Sequence, residues 1–248
     1  MNLLEALPRM PEWPSLRLPR GALPALMIVL VTIGLVALVP DDAPLTQLEV
    51  RGDFERLSVE DVRVAAAPFL TTSFFTADIN AMRDAVAKLP WVASVRAERR
   101  WPGAISMHIT ERTAFARWNQ DGLIDTQAHS FTPRAAEIPT GLPLLGGSAG
   151  HEAEVEQAWR RISPGLAGTP LALIGLQLDA RGEWTALTAS GIELRFGQDP
   201  PDERLPMLTG AAQRSIGTRW AEVRYVDIRY TNGFAVGWRE AEATGEGK

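Results

Sequence analysis

Cysteine is absent from the 248-residue chain, and histidine occurs only three times. The first absence removes disulfides, thiol nucleophiles and every thiolate metal site. It leaves the compartment open, because a well-cored exported domain folds without disulfides. The scarcity of histidine weakens metal and acid–base readings. His151-Glu152 begins an H-E-x-x-H zinc pattern, but Val155 stands where the second ligand is needed. An excess of positive charge is also lacking: 25 basic against 30 acidic residues give a net −5, which argues against nucleic acid as a partner. What is present, 46% hydrophobic and 22% charged residues, is the composition of a foldable chain of one or two modest domains.

Charge is missing altogether from Gly21 to Pro40, and Ala22 to Val39 is broken only by Pro24, Thr32 and Gly34. A membrane-spanning helix needs about 20 apolar residues, so residues 21–40 are expected to form a single transmembrane helix. Arg9, Arg17 and Arg20 precede the run, and Asp41 and Asp42 follow it. That bias puts residues 1–20 in the cytoplasm as a short tail and the rest of the chain outside. A cleaved signal peptide would have a shorter apolar core and a small-x-small cleavage site, which Ala37-Leu38-Val39-Pro40 is not. Residues 1–40 hold three Arg and two Glu, leaving 22 basic and 28 acidic groups in a soluble acidic body.

The next segment, 45–112, alternates between strand and helix signals. Leu48 and Val50 have the spacing of a half-buried strand. Ser58 followed by Glu60 and Asp61 marks a helix start, with Val59, Val62, Ala66 and Phe69 at helical spacing. Asp78 opens a second helix whose face is Ile79, Met82, Val86 and Leu89, stopped by Pro90. Val95 and Ala97 lie on a strand, Trp101-Pro102-Gly103 reverses the chain with a positive angle at Gly103, and Ile105, Met107 and Ile109 alternate on a third strand. The order β-α-α-β-β predicts a three-stranded sheet with two helices on one face.

From 113 to 240 the pattern is mostly short strands. Phe115–Gly122 and Leu123–Thr126 form a pair turned at Asp121-Gly122, residues 133–150 a loop, and Glu152–Ile162 a helix ended by Pro164-Gly165. Leu171–Asp179, Trp184–Ala189 and Ile192–Phe196 are three strands, and Asp202–Ile216 is a helix with Leu205, Leu208, Ala212 and Ile216 on one face. Val223–Thr231 and Phe234–Trp238 flank Asn232-Gly233, the strongest short hairpin signal. A two-residue loop there puts Val226, Ile228 and Tyr230 on one face with Ala235 and Gly237. Phe234, Val236 and Trp238 then share the other face with Asp227 and Arg229. A bulge would change that facing. The last strand is an apolar edge, and the Glu/Gly-rich residues 241–248 read as a disordered tail. The fold class is thus α+β: a membrane helix, a β-α-α-β-β unit, and a mixed β-rich domain with flanking helices.

Ser73-Phe74-Phe75-Thr76-Ala77-Asp78, Leu89-Pro90-Trp91-Val92, Arg99-Arg100-Trp101-Pro102-Gly103, Glu111-Arg112 and Ala116-Arg117-Trp118 resemble the POTRA domain of the bacterial FtsQ/DivIB cell-division family. Tyr225 to Tyr230 and Asn232 to Trp238 resemble that family's closing strands. The resemblance implies a POTRA domain, a non-enzymatic scaffold of the divisome, and a single-pass inner-membrane protein with its bulk in the periplasm at the septum. It implies FtsB, with FtsL, as partner by strand addition at the C-terminal edge, and other divisome proteins through the POTRA domain and membrane helix. The partner-binding residues it implies are Arg229, Tyr230, Asn232, Gly233, Phe234, Ala235, Val236, Gly237 and Trp238, with Tyr230 and Trp238 as anchors.

Chemistry is weakly signalled elsewhere. Gly146-Gly147-Ser148-Ala149-Gly150 matches the G-x-S-x-G elbow, but the preceding strand is short and His151 is too near to be its distant base. His108 on a polar strand face and His129 in a loop read as solvated. No catalytic, cofactor or metal residue is expected. The alternative is a membrane-tethered periplasmic cell-wall enzyme, which turnover on peptidoglycan by residues 41–248 would favour.

Overall fold

A computed structural model describes residues 22–37, 45–70 and 73–239. The expected tails at 1–20 and 241–248, and parts of the expected span 21–40, lie outside these. Helix α1, Ala22–Ala37, covers 16 residues, about 24 Å at 1.5 Å per residue. Among the described residues no helix is long and apolar enough to cross a membrane. The described side chains of α1, positions 24–34, are all exposed.

The first folded unit has strand β1 (Gln47–Arg51), helices α2 (Val59–Ala66) and α3 (Ile79–Ala87), and strands β2 (Val92–Arg100) and β3 (Ala104–Glu111). The caps sit where the sequence put them. Ser58 Oγ accepts from Glu60 N at 3.0 Å and Asp78 Oδ1 from Ala81 N at 2.9 Å, each satisfying a helix-start N–H. Strand β3 is central, parallel to β1 and antiparallel to β2, and its Ile105, Met107 and Ile109 meet Val62, Ala66, Met82 and Val86 in one core. Two expectations need correction. Leu89 lies past the end of α3 and is only half-buried, so Met82 and Val86 are the deep positions of that stripe. The β2–β3 reversal has a cis Trp101–Pro102 peptide, and Gly103 does not take the positive angle expected of it.

The second unit opens with β4 (Ala114–Trp118), β5 (Gly122–Asp125), β6 (Ser130–Phe131) and β7 (Leu144–Gly146). Helix α4 (Glu152–Leu166) leads to β8 (Leu173–Leu178), β9 (Trp184–Thr188) and β10 (Glu193–Gly197). Helix α5 (Pro201–Met207), a π-helical segment at Leu208–Ala212 and α6 (Gln213–Ile216) precede β11 (Val223–Asp227) and β12 (Ala235–Trp238). The strands form one sheet in the order β12-β11-β10-β9-β8-β7-β4-β5-β6. The stretch 133–150, expected as loop, thus contains an interior strand: β7 pairs parallel with both β4 and β8. Helix α4 also runs through Pro164 instead of stopping there. Leu208, Ala212 and Ile216 share one core with Ala158, Ile162, Leu194 and Phe196, while Leu144, Ile174 and Leu187 remain exposed.

The two sheets are joined by packing and charge. Leu123 of β5 is fully buried in the core of the first unit, with Phe131, Ile138 and Leu142 against it. Arg112 Nη1 meets the buried Asp125 at 2.7 Å. Glu137 accepts from Trp91 Nε1 at 2.9 Å through its carboxylate, and its backbone carbonyl accepts from Arg56 at 3.2 Å. Burial alone would raise the Glu137 carboxyl, but the hydrogen bonds from Trp91 and Arg134, with the Arg134 charge, hold it below the usual carboxylate range. Its contribution to stability is therefore whole above the ordinary value of about 4.3 and is lost as pH falls through the lower folded value. Glu137→Gln is expected to lower the urea midpoint at pH 7, with the gap to wild type closing below about pH 4. A gap that stays constant down to pH 3 would count against this junction.

Candidate strand-addition edge

Among the described residues, strand β12 is the terminal strand of the nine-stranded sheet, paired on one side, with β11. The pairing is Asp227↔Ala235, Val226↔Val236, Tyr225↔Gly237 and Val223↔Trp238, with a bulge in β11 between Val223 and Tyr225. This corrects the two-residue hairpin at Asn232-Gly233. Strand β11 stops at Asp227 and residues 228–234 form the connection, so the register is displaced by three. Gly233 does not take the positive angle that the expected turn requires. Val236 therefore shares a face with Val226, and Phe234 and Val236 lie partly buried against the helix-covered core.

The cause is local. Arg229 folds back onto Asp227: its backbone N–H donates to Oδ1 at 3.2 Å, and its guanidinium reaches both carboxylate oxygens at 2.7–3.1 Å. Those Arg229 hydrogen bonds hold the buried Asp227 carboxyl below the usual range, against burial, with Arg195 adding its charge. The Arg229 stem lies on Gly197, where a Cβ would fall 2.9 Å from Cγ and where φ is +75°. A side chain at 197 would displace the arginine and strain the backbone.

The ladder itself fixes which backbone groups of β12 are free. Ile228 N–H donates to Arg195 O, so residues 226 and 228 turn their polar groups to β10, and Tyr225 and Asp227 turn theirs to β12. Ala235 and Gly237 answer them, and Arg239 N–H continues the series onto Glu222 O at 2.7 Å. The N–H and C=O groups of Phe234, Val236 and Trp238 consequently point out of the sheet. Among the described residues they form an unpaired rim of the kind that accepts another strand.

Around this rim Tyr230 is 56% and Trp238 41% exposed, and Ala235, Asn232 and Arg229 are exposed as well. Gly233 is half-buried in the connection. Gly237 lies beneath the Tyr225 ring, where a Cβ would come within 2.1 Å of a ring carbon. Sequence reasoning missed three supports: Arg195 stacks on Tyr225 at 4.3 Å, Arg219 on Trp238 at 4.2 Å, and Arg239 donates to Val223 O at 3.0 Å and Ser190 O at 2.8 Å. All three are long-range contacts of arginines, which composition does not reveal. On the open sheet face, a broad hollow of about 1130 Å³ is lined by Leu144, Ile174, Leu187 and Gln177 among others, and no histidine lines it. His151 Nδ1 engages Glu154 at 2.8 Å.

Two family models match the chain: "POTRA domain, FtsQ-type" over residues 43–112, and "Cell division protein FtsQ/DivIB, C-terminal" over residues 116–229. The second match stops before β12. The chain is 34% identical over 222 residues to the cell division protein FtsQ of Xanthomonas campestris, covering 87% of this chain and 76% of that one. It is 32% identical to the FtsQ of Vibrio cholerae, covering 82% of this chain and 78% of that one. Against the FtsQ of Burkholderia pseudomallei the identity is 30%, covering 94% of this chain and 97% of the relative.

Proposed function

Because the chain belongs to the FtsQ/DivIB family of cell-division proteins, we propose that it is a non-enzymatic scaffold of the divisome, anchored in the inner membrane at the septum. The observation that carries this reading is the unpaired rim of β12. An extended segment of FtsB, in complex with FtsL, adds a further strand there, bonded to the backbone of Phe234, Val236 and Trp238. Tyr230 and Trp238 are the exposed anchors. Arg229, Asn232 and Gly233 shape the approach, Ala235 and Gly237 flank the new strand, and Phe234 and Val236 hold β12 onto the core. Main-chain bonds supply affinity in such an addition and alternate side chains supply selectivity. Other divisome proteins engage the POTRA domain and the membrane helix. Depletion of the protein is expected to give filamentous cells that lack FtsB at midcell; normal division on depletion would overturn the reading.

The anchor reading is supported by α1, apolar around its whole circumference and exposed at every described side chain, as a lipid-facing helix is. Uncharged sequence continues beyond both its ends, from Gly21 to Pro40. With Arg17 and Arg20 inside, a periplasm-active reporter fused after residue 240 is expected to be active. Activity only from fusions before residue 20 would reverse the orientation.

A further inference from the structure

The end of the POTRA unit nearest α1 in the chain is unusually rich in exposed aromatic surface. Trp101, in the β2–β3 turn, is 80% exposed, the highest value for any large hydrophobic residue among those described. Phe75, 45% exposed, belongs to the same end, because Arg99 donates to the carbonyls of Phe74, Phe75 and Ala77 at 3.2, 3.3 and 2.7 Å. Arg100 is exposed and makes no ion pair among the described residues. The chain enters the unit at this turn: Thr46 N and Gln47 N both donate to Gly103 O, at 2.9 and 3.4 Å. Nine residues, 38–46, separate α1 from β1. Fully extended they span at most about 30 Å.

We propose that this end of the POTRA unit rests on the outer surface of the membrane that holds α1, with Trp101 and Phe75 seated at the level of the lipid headgroups. The proposal rests on the reading of α1 as part of the anchor. An indole is apolar over most of its surface and carries one N–H donor, which suits it to the boundary between acyl chains and water. An exposed Trp on a turn tethered within about 30 Å of a bilayer faces that boundary at high effective concentration. Arg100 beside it can pair with a lipid phosphate through its planar fork. Arg96 and Arg100 are offset locally by Glu98 and by Asp41 and Asp42 in the linker, so insertion of the rings, not net charge, carries the contact. Seated this way, the turn fixes the tilt of the whole periplasmic body.

The test uses the full chain in vesicles of phosphatidylethanolamine and phosphatidylglycerol containing brominated acyl chains, which quench indoles lying in the bilayer. Wild type is expected to show a quenched, blue-shifted tryptophan component that Trp101→Ala loses. The side chain is exposed, so circular dichroism should show the same fold in both proteins, and Trp13 contributes equally to both. Equal quenching in two proteins that both float with vesicles after a carbonate wash would overturn the proposal, leaving the anchor reading intact. Protein stripped off by carbonate would overturn the anchor reading and the proposal with it.

Discussion

Val236→Pro is expected to abolish capture of an FtsB segment by residues 41–248 while the domain stays folded. The N–H of Val236 points out of the sheet, so its loss costs no bond to β11. The same loss removes a donor from the centre of the rim, and the proline ring obstructs the strand that would lie beside it. Half-burial of the side chain limits the lost packing. Trp238→Ala acts on the same rim through a side chain; truncating an interface Trp typically costs at least about 2 kcal/mol, roughly thirtyfold in affinity. Calorimetric titration with the partner segment, run beside thermal melts, separates binding from folding. A folded Val236→Pro protein that binds at wild-type affinity would sink the strand-addition reading. A sharply lowered melting temperature for Trp238→Ala would make that residue part of the core.

In the POTRA core, Met82→Ala should destabilise residues 41–248 by about 2–5 kcal/mol, the usual cost of truncating a fully buried long side chain. Met82 is 0% exposed at the centre of the α3 stripe, under the β3 residues Ile105 and Met107. Leu89→Ala should cost clearly less, since Leu89 lies beyond the helix and keeps partial contact with water. Urea unfolding followed by tryptophan fluorescence gives both values. Equal losses, or the larger one at Leu89, would show that the stripe is centred elsewhere. An isolated 45–115 fragment would be a poor host for this comparison, because Leu123, Phe131, Ile138 and Leu142 complete that core.

What the sequence made legible follows from the range of the interactions involved. Ser58 and Asp78 cap their helices through bonds to residues two and three positions away, so their signals are local and carried through intact. Strand β7 escaped notice because three residues between Pro143 and Gly147 look like loop, and only its parallel partners on both sides make Leu144–Gly146 a strand. At the hairpin, the Asn232-Gly233 signal lost to a competing local interaction, the closure of Arg229 onto Asp227, which ends β11 before the turn residues are reached. The edge position of β12 was legible; its register was not. Glu137 was invisible, since its partners Trp91 and Arg56 lie 46 and 81 residues away.

The burial of Leu123 in the neighbouring core also has a mechanical meaning. A flexible connection between the two sheets would let the β12 rim wander over a wide arc. With β5 lodged in the POTRA core and Glu137 bonded across the seam, bending there must expose apolar surface and break charged hydrogen bonds together. The body then behaves as a strut of set length, so a protein that paired with the rim would stand at a fixed distance from the POTRA strands.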